Sequence, residues 1–130
     1  MARQTPLRTP LGRALGLGSA KEGVAHWWAQ RVSAVALVPL GLWFCASLVS
    51  LAGADRAVLA AWLRGPVAAI LMILTIGAVF YHAALGLQVV IEDYAPNEAT
   101  KLAGIVLTKL AALLLAVAGI YAVLKLAFGG

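Results

Sequence analysis

Long runs without a charged residue constrain this chain more than any other feature of its sequence. No Asp, Glu, Lys or Arg occurs from Val32 to Gly53, and none occurs from Gly65 to Ile91. A third apolar block, from Leu102 to Phe128, is interrupted by Lys109 and Lys125. Each block reaches the ~20 residues that a helix needs to cross ~30 Å of hydrocarbon. Isolated spans must be helical, because unpaired backbone amides are costly in lipid.

The composition supports this interpretation. Hydrophobic residues make up 63% of the chain and charged residues 12%, whereas about a quarter of a soluble domain is charged. We predict an all-α integral membrane protein with three transmembrane helices at about 28–53, 65–92 and 100–127. Residues 26–130 form the membrane anchor, and residues 1–25 form a basic N-terminal arm on the cytoplasmic side.

The basic residues predict the orientation. With the N-terminus in the cytoplasm, seven lie inside, namely Arg3, Arg8, Arg13, Lys21, Arg31, Lys101 and Lys109, against Arg56, Arg64 and Lys125 outside. The excess favours a cytoplasmic N-terminus and a C-terminus on the opposite, periplasmic side. Beside a membrane span such a cluster indicates topology, not nucleic-acid binding. An Arg-rich, acid-poor start is also typical of an organelle transit peptide, which stays an alternative.

The second span contains one residue that can become charged, His82. At about 100° per residue, His82, Gly86 and Asp93 share one helix face, with ~16 Å of rise from the histidine to the acid. An ionisable residue at membrane depth is a functional candidate, and neutral imidazole is a good haem-iron ligand. A second histidine ligand would have to come from another chain. Gly86 leaves room for a flat macrocycle or a close helix. The structural alternative is a core histidine hydrogen-bonded to a neighbouring helix.

Asp93 and Tyr94 close the second span at the cytoplasmic surface. A phenol can donate to a quinone carbonyl, and a nearby acid can orient the phenol or relay protons. Arg31, at the start of the first span, lies at the same depth and suits a quinone oxygen or a haem propionate. The alternatives are a solvated helix end for the pair and simple snorkelling for the arginine.

Residues 82–94 read H-A-A-L-G-L-Q-V-V-I-E-D-Y, with Gly four residues after His, then Asp and Tyr eleven and twelve residues after it. The first span follows H-W-W-A-Q-R, and the arm reads R-T-P-L-G-R-A-L-G-L-G-S-A-K-E-G. Over nearly its whole length the chain resembles the hydrophobic membrane-anchor subunit of succinate dehydrogenase, the D-type chain of respiratory complex II, as found in alphaproteobacteria. The Arg-Pro-x-Ser-Pro-His signature of the companion C-type anchor is absent.

The resemblance implies a location in the bacterial inner membrane and a role for each candidate. His82 would be one axial ligand of haem b, whose iron takes its other ligand from the C-type anchor. Tyr94 would hydrogen-bond a ubiquinone carbonyl with Asp93 in support, and Arg31 would lie near the haem propionates and the quinone. His26 corresponds only loosely to a family histidine.

The resemblance also implies three partners: the C-type anchor, an iron–sulfur subunit and a flavoprotein subunit, in addition to membrane lipid. With one cysteine and no flavin fingerprint, this chain does not oxidise succinate by itself. Three alternatives stay open: a haem-free structural anchor for a peripheral redox enzyme, a cytochrome b-type subunit of another complex, and a proton or ion pathway using His82 and Lys109.

Overall fold

The computed structural model describes residues 9–14 and 23–129 of the chain. The described part contains five helices and no strand. They are α1 (Pro10–Ala14), α2 (Gly23–Ser50), α3 (Arg56–Leu63), α4 (Pro66–Tyr94) and α5 (Glu98–Phe128). Most of the predicted basic arm, residues 1–8 and 15–22, lies outside the described residues.

Helices α2, α4 and α5 are the three predicted membrane spans. They contain 28, 29 and 31 residues and are apolar enough to cross a membrane. At 1.5 Å per residue each is longer than ~30 Å of hydrocarbon, so the helix ends extend into the interfacial layers. The predicted all-helical membrane fold is therefore confirmed.

Local sequence signals set the helix ends. Asn97 caps α5, because its side-chain oxygen accepts a 2.8 Å hydrogen bond from the Thr100 backbone N–H. Pro66 occupies the first turn of α4, where its missing N–H is not needed. Helix α2 ends at Ser50 instead of near residue 53, because Gly53 turns the chain with a φ of 80°, a conformation that favours glycine.

The segment between the first two spans contains a short helix that is not one of the three predicted spans. Helix α3 begins after Asp55, whose carboxylate accepts a 2.9 Å hydrogen bond from the Val58 backbone N–H. Its last residue, Leu63, is buried in a small cluster with Ala69 and Val123. Helix α3 thereby closes one end of the bundle.

Helix α4 is the central element, since it packs against both α2 and α5. Glycines of α5 allow close approach to α4. A Cβ atom added to Gly104 would lie 3.1 Å from Ile91, and one added to Gly119 would lie 3.2 Å from Ile76. Gly104 and Gly119 therefore lie on the face of α5 that packs against α4. Helix α4 therefore lies between α2 and α5, and it carries His82, Asp93 and Tyr94.

Candidate functional site

The imidazole of His82 lies against helix α2. Its Nδ1 atom is 2.9 Å from the Ser33 hydroxyl oxygen, and its Nε2 atom is 3.3 Å from the Gln30 side-chain nitrogen. Ser33 and Gln30 are three residues apart and therefore lie on the same face of α2. Three polar side chains from two membrane helices thus meet at one place in the bundle.

These contacts satisfy His82 within the chain, as the structural alternative expected. The two contacts differ in length and rigidity: the contact at Nε2 is longer than the one at Nδ1, and it involves a flexible side-chain amide. A metal-ligating histidine commonly donates its second ring N–H to a protein group, and Ser33 supplies such a partner at Nδ1. The residues present therefore fit one ligand to a haem iron, through Nε2, once the Gln30 amide turns aside.

The space beside Gly86 is taken by α2. A Cβ atom added to Gly86 would lie 3.5 Å from the Gln30 side-chain nitrogen, an ordinary contact distance. The sequence suggested that Gly86 leaves room for either a flat macrocycle or a close helix. The structure shows a close helix there.

Asp93 and Tyr94 lie next to each other in the last turn of α4, at the end of that span. Both side chains are exposed, and Tyr94 is 83% exposed. Such a phenol is free to donate to a ligand, but nothing within the described chain encloses it. Any binding pocket at Tyr94 therefore needs a wall from another molecule.

Arg31 lies on α2, beside Gln30 in sequence. Its guanidinium carbon is 5.3 Å from the centre of the Trp27 ring, within the range of a cation–π interaction. Within the described residues, the one side-chain salt bridge joins Lys101 and Glu98, so Arg31 is not paired with Asp93. The cation is exposed and oriented by Trp27.

A second polar feature was not predicted. A cavity of about 570 Å³ is lined by residues of α2, α4 and α5, including His26, Gln88, Glu92 and Lys109. The Gln88 amide donates a 2.7 Å hydrogen bond to Glu92. His26 Nε2 and Gln88 Oε1 are buried, and neither has a hydrogen-bond partner in the part of the chain described. The cavity thus gathers the two residues, His26 and Lys109, for which the sequence supplied no firm role.

Sequence reasoning also missed Ser33 and Gln30. The available signal was their spacing: two polar side chains, three residues apart, at the start of an apolar helix. Polar residues on one face of a membrane helix indicate a contact with another polar group. The identity of that group depends on how α2 and α4 are docked.

Comparison with known proteins places these features in a family. The family model for the succinate dehydrogenase/fumarate reductase transmembrane subunit matches residues 5–123. A succinate dehydrogenase hydrophobic membrane anchor subunit of Rickettsia bellii is 35% identical over 116 residues, which are 89% of this chain and 93% of the relative. The subunit of the same name from Paracoccus denitrificans is 32% identical over 121 residues, 93% of each chain. No solved structure matches significantly.

Proposed function

The chain belongs to the family of succinate dehydrogenase and fumarate reductase transmembrane subunits, and on that premise we propose how it works. It anchors succinate dehydrogenase to the membrane, supplies one axial ligand of haem b through His82, and forms part of the ubiquinone-reduction site. The observation that carries the haem assignment is the position of His82 in an apolar span with Nδ1 bonded to Ser33. That arrangement prepares a neutral imidazole for coordination through its other nitrogen.

His82, in the middle of α4, would hold the haem together with a ligand from the companion C-type anchor. When bound, the haem supplies one-electron redox chemistry near the quinone. Arg31, oriented by Trp27, provides a cation for the propionates or a quinone oxygen, because guanidinium forms strong charge-assisted hydrogen bonds with such anions.

Tyr94 binds the quinone at the cytoplasmic rim. Its hydroxyl donates to a quinone carbonyl, and Asp93 orients the phenol and passes protons from water. The exposure of Tyr94 supports a site completed by other subunits, since this chain supplies one wall. The iron–sulfur subunit lies at that wall and delivers electrons, and the flavoprotein subunit carries out succinate oxidation.

The chain lies in the bacterial inner membrane with its N-terminus in the cytoplasm and its C-terminus in the periplasm. This orientation follows from the excess of Lys and Arg on the N-terminal side. It also brings Tyr94 and Arg31 to the surface where the soluble subunits bind.

A second candidate function is a haem-free structural anchor. The observation that favours it is the pair of contacts from Ser33 and Gln30, which satisfy both nitrogens of His82 without a metal. In that case the histidine serves only to hold α2 against α4.

A reduced-minus-oxidised absorbance spectrum of the purified complex separates the two functions. We expect a b-type haem signal in the native complex and its loss or displacement in His82→Ala. His26→Ala is the matched control, because the chain has two histidines, and it should keep the signal. A haem-free native complex that still reduces quinone would establish the structural anchor instead. An unchanged haem spectrum in His82→Ala would show that another group ligates the iron and would remove His82 from the haem site.

A further inference from the structure

We infer that Ser33 is the positioning residue that selects the tautomer of His82: the imidazole is protonated at Nδ1, and Nε2 is the ligating nitrogen. The functional meaning of this inference rests on the proposed haem ligation. The tautomer itself is a property of this chain, and it is testable whether or not haem is bound.

The Ser33 hydroxyl proton is the starting point. The hydroxyl oxygen lies 3.0 Å from the Gln30 backbone carbonyl and 2.9 Å from His82 Nδ1. A carbonyl oxygen only accepts, so the single hydroxyl proton is donated to it. The serine oxygen then acts as acceptor toward the ring, and the proton between Ser33 and His82 must reside on Nδ1.

The other ring nitrogen agrees with this assignment. With Nδ1 protonated, Nε2 of a neutral imidazole carries a lone pair. The Gln30 side-chain N–H, 3.3 Å away, donates to that lone pair. All three contacts among Ser33, Gln30 and His82 are then hydrogen bonds with one proton each.

The opposite tautomer fits the same atoms poorly. If Nε2 carried the proton, Ser33 would have to donate to Nδ1. Its oxygen would then face the Gln30 carbonyl oxygen at 3.0 Å with no proton between them, and two acceptors at that distance repel each other.

Ser33 is well suited to hold a proton position. It is 7% exposed, it is bonded to its own helix, and it belongs to the span that packs against α4. A partner that accepts the second N–H of a ligating histidine fixes the ring and raises its basicity, and losing such a partner typically weakens metal binding about 10- to 100-fold. The side chain of Gln30 can rotate, so its amide moves away from Nε2 and leaves that nitrogen to bind the iron.

Nitrogen NMR of the full chain in lipid bilayers tests the tautomer directly. The chain is labelled with ¹⁵N-histidine, and His26→Gln leaves His82 as the single labelled ring. In this background we expect a protonated Nδ1 and an unprotonated Nε2, unchanged by Ser47→Ala. Ser47 is the matched control, because it is a buried serine of the same helix that bonds a backbone carbonyl. A protonated Nε2 with Ser33 intact, or no change on Ser33→Ala, would overturn the inference.

Redox titration of the haem in the assembled complex tests the consequence. Ser33→Ala should raise the haem midpoint potential, because a less basic ligand favours the ferrous state, and should weaken haem retention roughly 10- to 100-fold. Ser33→Thr keeps the hydroxyl and should restore both, and Ser47→Ala should leave both unchanged. A haem-containing complex in which Ser33→Ala alters neither property contradicts the positioning role alone. A native complex without haem contradicts the proposed function, while the NMR result still decides the tautomer.

Discussion

At the scale of single residues, the C-terminal end of α4 carries acidic side chains, where helices generally favour basic ones. The negative end of the helix dipole lies at the C-terminus, where basic side chains are favourable and acidic ones are not. The last turn of α4 contains no basic residue and instead contains Glu92 and Asp93. Residues that oppose local stability often mark functional positions. The placement of Asp93 beside Tyr94 therefore supports a role in proton transfer.

Asp93→Asn should change stability and turnover in opposite directions. Removing the charge relieves the repulsion with the helix end, which should stabilise the full chain by about 0.3–1 kcal/mol. Quinone reduction by the complex should slow, because the amide does not relay protons. Denaturant unfolding in detergent and steady-state quinone reduction measure the two effects.

Glu98→Gln is the control for this prediction. Glu98 occupies the first turn of α5, where an acid is favourable, so its loss should destabilise the chain slightly and leave turnover unchanged. Unaltered quinone reduction in Asp93→Asn would show that the acid is a solvated helix end.

Tyr94→Phe removes one hydroxyl and keeps the ring. If that hydroxyl donates to a quinone carbonyl, kcat/KM for ubiquinone should fall roughly 2- to 10-fold, the usual effect of one neutral hydrogen bond. Succinate oxidation with a soluble dye acceptor should be unaffected. Tyr121→Phe, another exposed tyrosine but near the far end of α5, is the control. Equal quinone kinetics in both variants would remove Tyr94 from the site.

At the scale of helices, the α4–α5 contact depends on two glycines of α5, which have no side chain and so let α4 approach closely. Gly104 and Gly119 of α5 face Ile91 and Ile76 of α4 so closely that an added Cβ would press on both isoleucines. In a membrane, helices associate largely through such close packing, since lipid is as apolar as the side chains. The position of α4, and of His82 on it, therefore depends on these small residues.

Gly119→Leu should destabilise the full chain in detergent by about 1–3 kcal/mol through overpacking against Ile76. Gly77→Leu is the matched control, because an added Cβ at Gly77 meets no atom within 4 Å. Combining Gly119→Leu with Ile76→Ala should recover part of the loss. Equal unfolding midpoints for the two leucine variants would show that the close contact at Gly119 does not hold α4 and α5 together.

At the scale of the whole molecule, the described chain buries little of itself. Its buried hydrophobic residues are Leu63, Ala69, Val123 and Ala127, while large apolar side chains along all three spans are exposed. A soluble protein rarely exposes apolar patches of this size. The outer surface is therefore one that lipid and partner subunits cover.

The orientation of the whole chain is testable with reporter fusions. Alkaline phosphatase fused after the C-terminus should be active, because that end is predicted in the periplasm. The same reporter placed between α4 and α5, beside Pro96, should be inactive because that loop is predicted to be cytoplasmic. The reversed pattern would move Tyr94 and Arg31 to the side away from the soluble subunits and contradict the proposed quinone site.

The fold class and much of the local structure could be predicted from the amino-acid sequence. Isolated apolar runs of this length can cross lipid only as helices, which is why the three spans were predictable. The Asn97 cap and the place of Pro66 were equally predictable, because capping depends on residues adjacent in the chain. The stripe that joins His82 to Asp93 follows from helix geometry alone.

Which side chains contact each other depends on the packing of the helices. Ser33 and Gln30 lie 49 and 52 positions before His82, and no local rule specifies how α2 turns against α4. The cavity lined by His26, Gln88, Glu92 and Lys109 likewise depends on how α2, α4 and α5 are placed relative to one another. Periodicity determines the face on which a side chain lies, whereas packing determines what that face contacts. For this reason the histidine was found from sequence, but the groups that hold it were found only in the folded chain.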